Sequence, residues 1–355
     1  MMTDSSFFTK RDSSIIAGLA ILLMIWVHLF CLPSAWYASC VSWNSVGGYP
    51  VEKITEIIGR FGTVCVPMFA LISGYALWTC ATAYATLRLR MQRLLKFLGA
   101  YWIICLLFLF IGFLTNAKMP SLWQFVHNLF GFDTKLGEII NVPFAWYVRY
   151  YIIFVLISPC LLFVFKSKNR WCDIGAFIGI TQMINLFGYI DNPHITPITI
   201  ALFPLVASAL GILIAKYKLF EYFSLHFTSR RAPISLILMI GVLVVIKYII
   251  ARLILEQNWI NITLSAIIAA ILILFFIEFI HKIKVKLLET ILVFLGGISM
   301  NLWFLHGIFF VGKCPLQKAI YMLNEPILIF FAVLLILIPI AWALTRSYKK
   351  MVNLL

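Results

Sequence analysis

Charge is scarce in this chain. Only 12% of its 355 residues are charged, and Asp and Glu together number 13 against 28 Lys and Arg. With 63% hydrophobic residues and a mean hydropathy of +1.02, that scarcity excludes a water-soluble globular fold. The chain also has no Cys-x-x-Cys pair. Its eight cysteines lie mostly within apolar runs, where thiols behave as small hydrophobes, so no metal site is expected. Cys31, Cys40 and Cys314 are the three placed to meet on the outer side as a disulfide. No repeat of fixed period occurs, and no inverted pair of interrupted helices of the kind many transporters use. No stretch reads as a separate soluble domain, so residues 1–355 are expected to form one integral-membrane domain.

What is abundant is apolar helix. Ten segments, at about 13–32, 60–80, 97–115, 144–165, 173–190, 198–215, 232–251, 260–280, 288–312 and 327–345, are each long enough to span a bilayer. The reading is an all-α polytopic membrane protein, about ten transmembrane helices in a single bundle. The first apolar run is longer than the core of a signal peptide, so it is read as a span. A net charge of +15 would suggest nucleic acid in a soluble protein. Here the cations sit between spans: Lys10/Arg11, Arg88 to Lys96, Lys166 to Arg170, Lys216 to Arg231, Lys282 to Lys286 and Arg346 to Lys350. By the positive-inside rule these six stretches are cytosolic, as are both termini, and no nucleic-acid partner is implied. The outer segments 33–59 and 116–143 carry Trp36, Tyr37, Trp43 and Trp123, as a lid anchored at the membrane surface would.

Polar groups inside the spans are the candidate site. Ser13 and His28 are separated by roughly 22 Å of helix, which sets His28 deep in the far half of the membrane. An ionisable group there is costly and marks function unless it merely bonds a neighbouring carbonyl. The span 288–312 brings Ser299, Asn301 and His306, the last at a depth like that of His28. Arg149 lies just inside the outer boundary among Trp146, Tyr147, Tyr150 and Tyr151; it either snorkels to the interface or binds an anionic or sugar substrate. In VPMFALISGYALW, Ser73 and Gly74 suit close helix packing. In LRLRMQRLLK, Arg90, Arg93 and Lys96 share one helical face while Arg88 points elsewhere. Such a cluster at the inner edge serves either topology or the grip of a phosphate-bearing ligand.

Across these motifs, AGLAILLMIWVHLF, VPMFALISGYALW, FAWYVRYYIIFVLISP and GGISMNLWFLH, the chain resembles the integral-membrane acyltransferase-3 family, many of whose members O-acetylate bacterial surface sugars. The resemblance covers nearly the whole chain. It implies an acyl-CoA donor, usually acetyl-CoA, held at the cytosolic side, with no permanently bound cofactor. It also implies a histidine of the first helix needed for transfer, here His28, and donor-binding arginines in an RxxR pattern, here Arg90 and Arg93, with Arg88 beside them. The acceptor would be a hydroxyl of an envelope glycan or a lipid-linked precursor, in a multi-pass protein of the bacterial cell membrane. His306 is expected to assist His28, with Ser73, Tyr75, Trp146, Arg149, Ser299 and Asn301 as substrate or supporting residues. The chain departs from the family pattern in one place: where members carry a cation and an acid in the first helix, it has Ala17 and Ser14. The rival readings are an exporter of a small solute or glycan precursor, and a family member without catalysis.

Overall fold

A computed structural model describes residues 7–30, 45–46, 49–114, 119–132, 146–188, 196–228, 232–253, 259–309 and 319–352. Among them, nine helices are long and apolar enough to cross a membrane, and the protein is an all-α polytopic membrane protein. Nine of the ten predicted segments correspond to these helices. Residues 173–190 are also helical, over Arg170–Gly188, but Asp173, Gln182 and Asn185 dilute their apolar run. The elements in chain order are α1 (Lys10–Phe30), β1 (Ser45–Val46), β2 (Tyr49–Pro50), α2 (Val51–Gly62), α3 (Cys65–Thr79), α4 (Leu87–Leu114), α5 (Leu122–Leu129), α6 (Trp146–Val164), α7 (Arg170–Gly188), α8 (Thr196–Leu202), α9 (Pro204–Lys216), α10 (Leu219–Phe223), α11 (Pro233–Leu253), α12 (Trp259–Ile283), α13 (Lys286–Leu305) and α14 (Pro326–Val352). β1 and β2 pair antiparallel, Ser45 with Pro50 and Val46 with Tyr49, a ladder too short to alter the helical character. Trp36, Tyr37, Trp43, Cys31, Cys40 and Cys314 lie outside the described residues.

The chain divides into two compact units. One comprises Met1–Ala20, Thr63–Arg90 and Ile153–Gly297. Its α1 begins with a capping box. Thr9 accepts from the Asp12 N–H at 3.2 Å while Asp12 accepts from the Thr9 N–H at 2.8 Å, satisfying two donors that a helix start leaves open. Glycines then let backbones meet. A Cβ on Gly18 would fall 2.1 Å from the Leu292 carbonyl oxygen, and one on Gly296 would fall 2.0 Å from that of Ser14. α3 and α9 repeat the device: a Cβ on Gly74 would lie 1.9 Å from the Ser208 oxygen, and one on Gly211 2.1 Å from the Leu71 oxygen. Ser208 adds a hydrogen bond from its hydroxyl to the Ala70 carbonyl at 3.1 Å.

In the same unit Pro159 interrupts α6. A proline lacks the N–H that would bond the carbonyl four residues earlier. Ser158 supplies a donor instead, its hydroxyl 2.7 Å from the Val155 oxygen, and Arg90 Nη1 donates to the neighbouring Leu156 oxygen at 3.0 Å. Asp173 is buried and pairs with Lys216, and the Tyr217 hydroxyl donates to the same carboxylate oxygen at 2.6 Å. Burial, reinforced by this bond to Asp173, pushes the Tyr217 hydroxyl up to about 12.

The other unit comprises Ile21–Gly62, Met91–Ile152 and Ile298–Leu355. Within it α5 opens with a capping box of Ser121 and Gln124 and is moored to α4 by two aromatic donors. The Tyr101 hydroxyl bonds the Asn128 oxygen at 2.9 Å, and Trp102 Nε1 bonds the Leu129 oxygen at 2.8 Å. Leu122 and Trp123 stay exposed on α5, as an interfacial anchor requires. Toward its other end α4 meets α14, where the Tyr348 hydroxyl donates to the Lys96 oxygen at 2.9 Å. Leu106, Phe110, Phe113 and Leu114 are exposed along α4; an apolar band of this kind faces lipid rather than water.

Candidate active site

His28 and His306 come together. Their ring centroids are 4.8 Å apart with planes tilted 46°, both within the unit that holds α5 and α14. His28 sits in the last turn of α1, where three contacts fix the helix end. The Tyr321 hydroxyl donates to the Leu29 oxygen at 3.1 Å, Trp26 Nε1 reaches the Thr55 oxygen at 3.4 Å, and the Trp26 ring packs on Phe330 at 5.2 Å. His28 Nδ1 lies 2.9 Å from the Met24 carbonyl oxygen. A carbonyl only accepts, so Nδ1 carries the hydrogen and Nε2 is the acceptor nitrogen of the neutral ring. That is the tautomer a general base needs. His306 follows the last residue of α13, where the helix tightens into a 3-10 turn. It is fully buried whereas His28 is half-buried, so His28 is the more accessible ring of the pair.

The other predicted residues divide. Ser299 lies seven positions before His306 and therefore shares its helical face, two turns away. Asn301 is turned about 140° from His306 around the helix and is committed elsewhere: its amide donates to the Thr345 hydroxyl at 2.7 Å, which ties α13 to α14. Trp146, half-buried, packs edge-on against Tyr147, and Tyr147 packs on Trp303 at 4.6 Å. Trp303 is one turn from His306, so the start of α6, with Arg149 in its first turn, is seated beside the helix that carries the buried histidine. Arg149 is 5% exposed.

Ser73 and Tyr75 belong to the first unit. The Ser73 hydroxyl returns to its own helix at the Phe69 oxygen, 2.8 Å away, and the Tyr75 ring packs on Phe8 and Phe220. Arg88, Arg90 and Arg93 all lie in the first two turns of α4. Arg88 is exposed and makes no hydrogen bond or ion pair with a described residue. Arg90 holds the interrupted α6 through Leu156, a duty that its sequence neighbours did not signal.

Comparison with known proteins decides what kind of protein carries this pair. A family model described as an acyltransferase domain matches residues 15–346. The chain belongs to the acyltransferase-3 family. Searches of curated proteins and of solved structures returned no match. As a member of this family the protein is a membrane acyltransferase by descent, and its departure at Ser14 and Ala17 has a structural counterpart. Both positions lie where α1 closes on α13: the Ser14 carbonyl is the one that a Cβ on Gly296 would strike, and Ala17, 9% exposed, precedes Gly18. Small residues and a close helix crossing occupy the positions at which the family resemblance implies an acid and a cation.

His281 stands at the end of a span, where a solvated histidine is expected. Its Nε2 lies 2.9 Å from the buried Asp12 carboxylate, joining the end of α12 to the start of α1 within the first unit. The Thr-x-x-Asp box at Thr9 and Asp12 was the available sign that Asp12 is structural.

Proposed function

We propose that the protein transfers an acyl group, acetyl by family habit, from acyl-CoA on the cytosolic side to a hydroxyl of an envelope glycan or its lipid-linked precursor. The observation that carries this reading is the pair of His28 and His306, with Nδ1 of His28 held by Met24. A sugar hydroxyl is a poor nucleophile at neutral pH, and a positioned imidazole is the natural base for it. Nε2 of His28 takes the hydroxyl proton as the oxygen attacks the thioester carbonyl, and the coenzyme A thiolate leaves. His306, enclosed behind it, holds the ring in place. Release of free thiol from acetyl-CoA by the purified protein, with a glycan acceptor present, tests the reading. An absence of thiol release above buffer under all acceptors would return the chain to the exporter reading.

Donor recognition is assigned to Arg88 and Arg93, with Arg90 shared between donor and α6. Each charge-assisted contact to phosphate is worth about 1.5 to 3 kcal/mol, so Arg88→Ala and Arg93→Ala should each weaken acetyl-CoA binding about ten- to a hundredfold. Arg90→Ala should in addition lower the melting temperature, because the Leu156 carbonyl loses its donor. Calorimetric titration reads the affinities and a melting curve reads the stability of Arg90→Ala; an Arg88/Arg93 double variant that binds acetyl-CoA like the parent would leave these cations a purely topological role.

The orientation proposed places both termini in the cytosol of a bacterial cell. Cys172 is an exposed free thiol at the start of α7, next to the cationic stretch Lys166 to Arg170. In a variant retaining Cys172 as its one cysteine, a membrane-impermeant maleimide should label inverted vesicles and not intact cells. Labelling of intact cells alone would reverse the orientation.

A further inference from the structure

Arg149 is the most anomalous charge in the protein. It is 5% exposed, its Nε has no hydrogen-bond partner, and it makes no hydrogen bond, ion pair or cation–π contact with any described residue. It also occupies the first turn of α6, where the positive end of the helix dipole disfavours a cation. A guanidinium that is buried, without a partner among the described residues and at the wrong end of a helix is costly on each count. Snorkelling would relieve the cost only if the side chain reached water or headgroups, and at 5% exposure it does so only slightly. Tyr101 is near enough to interact with it electrostatically, yet that hydroxyl already donates to the Asn128 oxygen. Nothing described in the fold neutralises Arg149.

From this we infer that Arg149 receives an anionic group of the acceptor, a carboxylate or a phosphate, and so orients the neighbouring hydroxyl for transfer. The planar guanidinium offers paired donors that match either oxyanion, and the helix start adds to the attraction. Placement supports this role: Tyr147, two residues earlier, packs on Trp303, one turn from the histidine whose ring lies against His28. The inference rests on the acyl-transfer reading and narrows it to acidic acceptors. Two sources share the chemistry, an acidic sugar and the diphosphate of a lipid-linked precursor.

Thermal-shift and tryptophan-fluorescence titrations of the full-length protein in nanodiscs separate them, with glucuronate, glucose and geranylgeranyl diphosphate as probes. One anionic probe should bind at least tenfold more tightly than glucose, and which of the two does so names the source. Arg149→Gln should abolish that preference. Arg149→Lys, which keeps the charge but not the paired geometry, should reduce it at least threefold, and serves alone if the glutamine variant does not fold. Equal binding of all three probes to the parent, or a preference undiminished in both variants, overturns the inference. A parent protein that prefers anions but releases no thiol from acetyl-CoA would sink the transferase reading and leave this site standing. One that releases thiol without preferring anions would do the reverse.

Discussion

Replacing His28 with alanine is expected to slow acyl transfer by about a hundred- to ten-thousandfold, the range that a positioned general base contributes. Expression and acetyl-CoA affinity should be unchanged, because the ring is half-buried at the end of α1 and the helix end is held by Tyr321, Trp26 and Phe330 rather than by the histidine. His306→Ala should behave differently. That side chain is fully buried against His28, so its loss opens a cavity, lowers the melting temperature and slows transfer by a smaller factor. Rates measured on detergent-purified variants of matched monodispersity distinguish the two. Equal losses at both positions would mean that the rings act as one catalytic unit and not as base and support.

The second large effect is expected at the glycine crossings, on stability rather than rate. Gly74→Val sets a Cβ where the Ser208 carbonyl lies 1.9 Å away, and Gly18→Val sets one 2.1 Å from the Leu292 carbonyl. Neither obstacle is a side chain that can rotate aside, so the helices must separate. Overpacking of this kind costs about 1 to 3 kcal/mol and at times more, a large share of a typical folding free energy. Gly175 and Gly179 on α7 have nothing within 4 Å of the same ideal Cβ. Alanine at those two positions should be neutral or stabilising by up to about 1 kcal/mol each, the helix propensity gained over glycine. Melting curves of the four single variants check the contrast; tolerance of valine at both Gly74 and Gly18 would contradict the packing described.

Hydropathy and cation placement were sufficient to read the helical segments, because both are local properties of the chain. Segment 173–190 is the instructive one: it is helical as expected, and its polar residues, Asp173 above all, belong to a network with Lys216 and Tyr217 that no local pattern announces. Depth along a helix was likewise legible, since counting residues from the membrane edge set His28 and His306 at similar levels, and their rings do meet. Partners were not. Asn301 read as a candidate for the reacting centre, but its amide is engaged by Thr345; periodicity gives a residue's face and leaves open which helix covers it. Arg90 read as a donor residue or a topological charge, and the third possibility, a donor to a carbonyl beside Pro159, needs the juxtaposition of two distant stretches. The Gly74 motif signalled close packing, and only the fold names Ser208 as what it packs on.

The central claim is that His28 is the base for acyl transfer from acetyl-CoA. Its most direct test is label transfer in proteoliposomes, with radiolabelled acetyl-CoA supplied on the cytosolic face and an acidic glycan on the other, for the parent protein and His28→Ala side by side. The account predicts labelled glycan with the parent and none above background with the variant, at equal donor binding. Labelled glycan at the parental rate from His28→Ala would contradict it.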